Sequence, residues 1–164
     1  MSTPPPEEAE VVQPSVLNFL LQTCIDGQEG YLLASEAIHS SELKATLATY
    51  AAQRARFGRE LKTLLDAMAE PPTEEPTLAG SIHRGWINLK AVVKDGDEHA
   101  VLVECVRGEA SALERYDSAI AEGKIPPEAE SAVRRQAMEI KNAHDQMEFL
   151  SQRAKEKSEA AEET

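Results

Sequence analysis

The sequence predicts an all-α protein: four long amphipathic helices packed as a bundle, with a long connection between the second and the third. Three observations carry this expectation. Along four stretches the apolar residues recur at spacings of three and four, the mark of one buried helical face. No stretch alternates in the way a half-buried strand does. The Pro-rich breaks fall between the periodic stretches, where they stop one helix and start the next.

Met1–Gln13 is poor in apolar residues and rich in Pro and Glu, so residues 1–14 are expected to be a disordered tail. Ser15 stands where a helix cap belongs. The first stripe follows as Leu17, Leu20, Cys24, Gly27, Tyr31, Ala34 and Ile38. A glycine in mid-helix costs roughly 1 kcal/mol relative to alanine, so Gly27 points to a close approach. Ser40–Ser41 breaks the pattern, and Glu42 opens the second helix near the positive end of its dipole. Its stripe reads Leu43, Leu47, Tyr50, Arg54, Phe57, Leu61, Leu64 and Met68, with Arg54 where a leucine is expected.

The run Glu70–Pro76 ends that helix. Leu78–Lys94 is a shorter helical candidate, with Leu78, Ile82, Trp86, Leu89 and Val93 on one face, closed by the turn Asp95-Gly96-Asp97. The third helix, Ala100–Ile120, gathers Leu102, Cys105, Val106, Ala112, Leu113, Tyr116, Ala119 and Ile120 on one side. Glu109 sits in the middle of that side, next to Gly108. After Glu122-Gly123, Pro126–Pro127 starts the fourth helix, whose stripe is Val133, Gln136, Ile140, Ala143, Met147, Leu150 and Ala154. The packed unit is thus expected over 15–152, with a frayed, charged tail over 153–164.

Connection lengths set the expected topology. Two of the three are short and join antiparallel neighbours. The stretch between Glu70 and Ala100 is long, and a helix over most of Leu78–Lys94 would span roughly 24 Å at 1.5 Å per residue. That length runs back along the bundle, giving up-down-down-up order, the long-crossover arrangement of ferritin-like proteins.

Charge and composition exclude several classes of function. With 17 Lys and Arg against 29 Asp and Glu the formal net charge is −12, and nucleic acid or an anionic membrane surface calls for a basic face instead. The N-terminal stretch lacks the cationic start and apolar core of a secretory signal. No apolar run approaches the ~20 residues of a membrane span. The two cysteines, far apart in sequence, fit neither a zinc ribbon nor a disulfide framework. A cytoplasmic protein is the expectation.

Five segments carry a resemblance: Asp26–Tyr31, Ala52–Phe57, Ser81–Lys90, Glu104–Glu109 and Ala143-His144-Asp145. Together they resemble an uncharacterised bacterial family with a ferritin-like domain of unknown function. The stretch His83-Arg84-Gly85-Trp86 is the most specific part, and the likeness runs from about Leu17 to Leu150. It implies a ferritin-like four-helix bundle and supplies no activity.

Di-iron proteins of that architecture bring one Glu from each of two helices and Glu-x-x-His from each of the others. On the inward stripes at mid-height the first helix offers no carboxylate, since Glu29 and Glu36 fall on its far face. The second helix offers Arg54 and no Glu-x-x-His. The third offers Glu109, and the fourth offers Gln136, Glu139 and His144 without the motif. One inward arginine and one inward carboxylate therefore stand in place of an anionic cluster. An isolated buried charge is costly, so Arg54 and Glu109 are expected to pair, often through a bidentate contact, with Tyr31, Tyr116, Gln136 and His144 completing a polar core. The alternative is a surviving metal site built from Glu60, Glu104, Glu109, Glu139 and His144, holding iron or another divalent metal.

Weaker signals complete the expectations. Trp86 is expected to anchor the crossover against the bundle, with His83 at its rim. Cys24 and Cys105 are expected as buried small hydrophobes on different levels. Phe19, Leu33 and Phe149 lie off the main stripes; either the crossover helix covers them or they form a homodimer patch, and the dimer patch is the expectation. No nucleophile with an adjacent base, phosphate-binding glycine loop or basic aromatic groove is present. A non-catalytic helical protein acting through association, expected as a homo-oligomer such as a dimer and without a cofactor, is the leading expectation; a ferritin-like metal-binding or redox protein is the other.

Overall fold

The computed structural model describes residues 15–72 and 85–164. Among them are five helices and no strand. Helix α1 spans Val16–Ala37, α2 Ser41–Ala67, α3 Leu89–Asp95, α4 Glu98–Glu122 and α5 Pro127–Glu162. The protein is all-α. Met1–Pro14, Leu78, Ile82 and His83 lie outside the described residues.

Local chemistry fixes most helix starts. The side chains of Ser15, Ser40 and Asp97 accept from the N–H groups of Asn18, Leu43 and Ala100, each satisfying an otherwise orphaned donor. Pro127 occupies the first turn of α5, where its missing N–H costs nothing. At the other end of α4, Gly123 takes the left-handed conformation that stops the helix.

The four long helices pack side by side, α1 against α2 and α4, and α5 against α4 and α2. Contacts give the directions. On α1 and α2, Cys24 lies level with Gly58 and Tyr31 with Tyr50. On α1 and α4, Cys24 meets Tyr116 and Tyr31 meets Glu109. On α2 and α5, Glu60 meets Arg135 and Tyr50 meets Gln146. Every neighbouring pair is antiparallel, so α2 and α4 face each other across the middle and run the same way.

Two apolar clusters fill the interior. One, at the end where α1 starts, contains Leu17, Leu20, Leu21, Cys24, Phe57, Leu61 and Leu65 with Ala112, Tyr116, Val133 and Ile140. The other contains Tyr31, Ala34, Ile38, Leu47, Val101, Leu102, Cys105 and Met147, together with Trp86 and Leu89 from the connection. Both cysteines are buried and free, one in each cluster.

Three expectations need correcting. A single helix does not run unbroken to Lys94: Gly85 has φ +123°, which no right-handed helix accommodates, and among the described residues of the connection helix begins only at Leu89. The expected tail beyond Gln152 continues as helix to Glu162, although every side chain after Ala154 is exposed. Phe19, Leu33 and Phe149 do not form one patch. Phe19 is early in α1 and Phe149 late in α5, at opposite ends of the molecule, while Leu33 packs against the second cluster.

Candidate functional site: a charged pair between two apolar clusters

Arg54 and Glu109 each stand near the middle of their helices, and because α2 and α4 run parallel they arrive at the same height. Both are sealed from solvent, at 1 % and 0 % exposure. The guanidinium donates through one nitrogen, Nη2, to both carboxylate oxygens, at 2.6 Å to Oε1 and 2.5 Å to Oε2. The contact is therefore not the two-nitrogen fork usual for such pairs. A second donor, Nε, reaches sideways to Gln53 Oε1 at 3.4 Å.

The surroundings are built to hold this cation. Arg54 Cζ lies 5.9 Å from the ring centroids of Tyr31 and of Phe57, within cation–π range. Gly27 leaves room for its stem: a Cβ there would come 3.2 Å from Arg54 Cγ. The close approach that Gly27 signals is thus to a side chain on α2. Burial alone would lower the Arg54 pKa, but the adjoining Glu109 carboxylate, helped by Tyr31, holds it above its ordinary value.

The four side chains expected around the pair divide into three groups. Tyr31 donates its hydroxyl to Glu109 Oε1, and its own pKa is driven well up, first by burial and then by the Glu109 charge. Tyr116 and Gln136 belong instead to a separate network in the first apolar cluster. Tyr116 donates to Gln136 Oε1 at 2.7 Å, and Gln136 Nε2 reaches the Phe57 carbonyl at 3.5 Å. Cys24 Sγ lies 3.1 Å from the Tyr116 hydroxyl. Because Tyr116 spends its proton on Gln136, the thiol is the donor in that contact. Burial pushes Cys24 up from 9.0 to about 11, so it stays a thiol. His144 joins neither group. It is 22 % exposed on α5, with Nδ1 3.1 Å from Asp145 Oδ1.

The five residues of the expected metal alternative do not converge. Each of its carboxylates faces an arginine of its own. Glu109 has Arg54, Glu60 has Arg135, Glu104 has Arg107 at 2.5 Å, and Glu139 has Arg56 at 3.8 Å. Glu104 is itself buried, at 3 % exposure, although its partner Arg107 is exposed. Among the described residues, the donor atoms that do come within 4.8 Å of one another belong to His144, Asp145 and Glu148, on the exposed side of α5. The Asp145 carboxyl there is held below its usual range by its hydrogen bond to His144 and then by Lys141.

Trp86 anchors the connection, as an inserted wedge. Its ring lies so close to two helix backbones that a Cβ on Gly30 would come within 2.5 Å of it, and one on Gly108 within 2.4 Å. The indole meets Tyr31 edge-on at 5.3 Å, which places it one residue layer from Glu109. Gly30 had no role assigned from the sequence. It lies on the flank of the α1 stripe, and only its juxtaposition with Gly108 reveals one. Glu98 was also missed. Its carboxylate accepts from the N–H groups of His39 and Ser40 at 2.6 and 3.1 Å, tying the start of α4 to the α1–α2 turn.

Fold and site together define a helical protein that closes a buried cation–carboxylate pair inside an apolar interior. The chain matches, over residues 13–122, the family described as Domain of unknown function (DUF2383), and it belongs to that family. The match takes in Arg54, Trp86, Gly108 and Glu109 and ends with α4, short of the helix that carries Gln136 and His144. No curated protein sequence matches the chain.

Proposed function

We propose that the protein is a ferritin-like four-helix bundle of up-down-down-up order in which the Arg54 guanidinium takes the place of bound metal, leaving a soluble, non-catalytic bundle that acts through association. The carrying observation is the matching of arginines to carboxylates, with the fully buried Arg54–Glu109 pair at the centre. A di-metal centre needs uncommitted carboxylates around its cations. Here a covalently supplied cation neutralises the central one. Antiparallel neighbours with parallel diagonals support the up-down-down-up order. Exposed Ile87, Met138 and Phe149 supply apolar surface for association, to a second copy or to another protein.

Two measurements test this reading. Arg54→Leu strands the Glu109 carboxylate in an apolar interior, and removing one partner of a buried pair costs about 3–5 kcal/mol. The double variant Arg54→Leu/Glu109→Leu is expected to regain most of that loss in thermal unfolding. An unchanged melting temperature for Arg54→Leu would overturn the reading. So would stoichiometric iron, manganese or zinc in protein purified without chelator or affinity tag. Light scattering on the eluting peak of a size-exclusion column reads the association; a monomer at all concentrations removes self-association from the proposal.

A further inference from the structure

The segment Gly85–Gly96 is fastened to the long helices by a few side chains and, at Gly85, by backbone so close to Ser111 of α4 that a Cβ would come 2.7 Å from it. Trp86 and Leu89 are its buried side chains, Val92 and Val93 are half-buried, and Ile87, Lys90, Ala91 and Lys94 are exposed. Its helix, α3, has seven residues and no side-chain cap from Asn88. Isolated helices need about 12–15 residues to persist in water, so α3 depends on what holds it down. Glycines in positive-φ conformations mark both ends, Gly85 at +123° and Gly96 at +71°. Such residues absorb large backbone rotations at low cost.

The chain is clamped on either side of this segment by contacts that do not involve it. Before it, Asn18 Nδ2 donates to the Pro71 carbonyl at 3.1 Å. After it, Glu98 holds the His39 and Ser40 N–H groups. What the segment fills is specific in shape. The fused ring bond of Trp86 lies against the backbones of Gly30 on α1 and Gly108 on α4, where any Cβ would collide with it.

We propose that Gly30 and Gly108 form a binding slot for a planar bicyclic aromatic group, occupied in cis by Trp86, and that Gly85–Gly96 is a hinged strap that withdraws the indole while the four long helices stay packed. Withdrawal uncovers Tyr31, whose hydroxyl holds Glu109, so the open slot has an aromatic wall and the charge centre behind it. Segments with few buried contacts open below the global unfolding free energy. The strap is such a segment, and the slot is what its opening exposes.

Trp86 is the single tryptophan, so its emission reports the slot directly. In a urea titration of the full chain, the red shift of Trp86 emission and the gain in acrylamide quenching are expected at lower urea than the loss of helical ellipticity. Coincident transitions would overturn the proposal. In the Trp86→Ala chain, free indole is expected to bind saturably and raise the melting temperature, and adding Gly108→Leu is expected to abolish both effects. A Trp86→Ala chain that stays helical but takes up no indole, or that loses its helices, counts against it. None of these readouts depends on whether Arg54 stands in for metal.

Discussion

Below the Arg54–Glu109 pair, the space between the helices is filled by the helices themselves. Leu20, Leu21, Leu61, Val133 and Ile140 interdigitate there, and α1 touches α4 directly through Cys24 and Tyr116. Above the pair, Met147 is the buried contribution of α5, and Trp86 fills the seam between α1 and α4 from outside. One half is thus closed by side chains on regular stripes alone, and the other by such stripes together with a wedge that glycines admit. The difference separates two kinds of cohesion. The lower half falls apart only when helices part, whereas the upper half has a component that can leave by itself.

Perturbing each half should show that difference. Within the two halves themselves, the charged pair aside, the largest effect is expected from Leu61→Ala, which leaves a cavity in the lower cluster and costs about 2–5 kcal/mol. It should lower the helical melting transition without changing the native Trp86 emission; a red-shifted native emission would mean that the two halves are one unit. Tyr31→Phe sits at the junction. It removes a donor to a charged acceptor and should cost about 1.5–3 kcal/mol, measured by urea unfolding.

Alkaline pH titrates buried thiols and phenols in both halves, Cys105 and Tyr31 above and Cys24 and Tyr116 below, so the Cys24 share is read by difference. Burial raises Cys24 from 9.0 to about 11, so the folded state favours the protonated thiol. The sign follows from linkage: this contribution is fully present below pH 9 and is lost as pH rises through about 11, because the unfolded thiol ionises first. Stability should fall across that window, and Cys24→Ala should flatten the fall; an unchanged slope refutes it. The smallest effect is expected at the surface. His144→Ala breaks an exposed contact with Asp145 and should change stability by no more than about 0.5 kcal/mol.

How much of this was readable in the sequence differs by residue. The long helices were, because Leu20, Leu61, Val133 and their companions repeat with a single helical period. The charged pair was readable as an anomaly: Arg54 and Glu109 interrupt apolar stripes, and a buried charge without a partner is too costly to persist. Its surroundings were less so. Tyr116 and Gln136 share the inward faces with Tyr31, yet they sit nearer the start of α1 and bond to each other. His144 lies one position off the α5 stripe, and that rotation carries it to the surface.

Period and polarity, both properties of single helices, determined the all-α class, the long helices and the presence of two inward charges. Which groups those charges meet, and what lies over Gly30 and Gly108, were decided only when the helices came together. Heights on different helices become comparable only through their directions and contacts. A glycine's lack of a side chain gains meaning only from the atom that occupies the space.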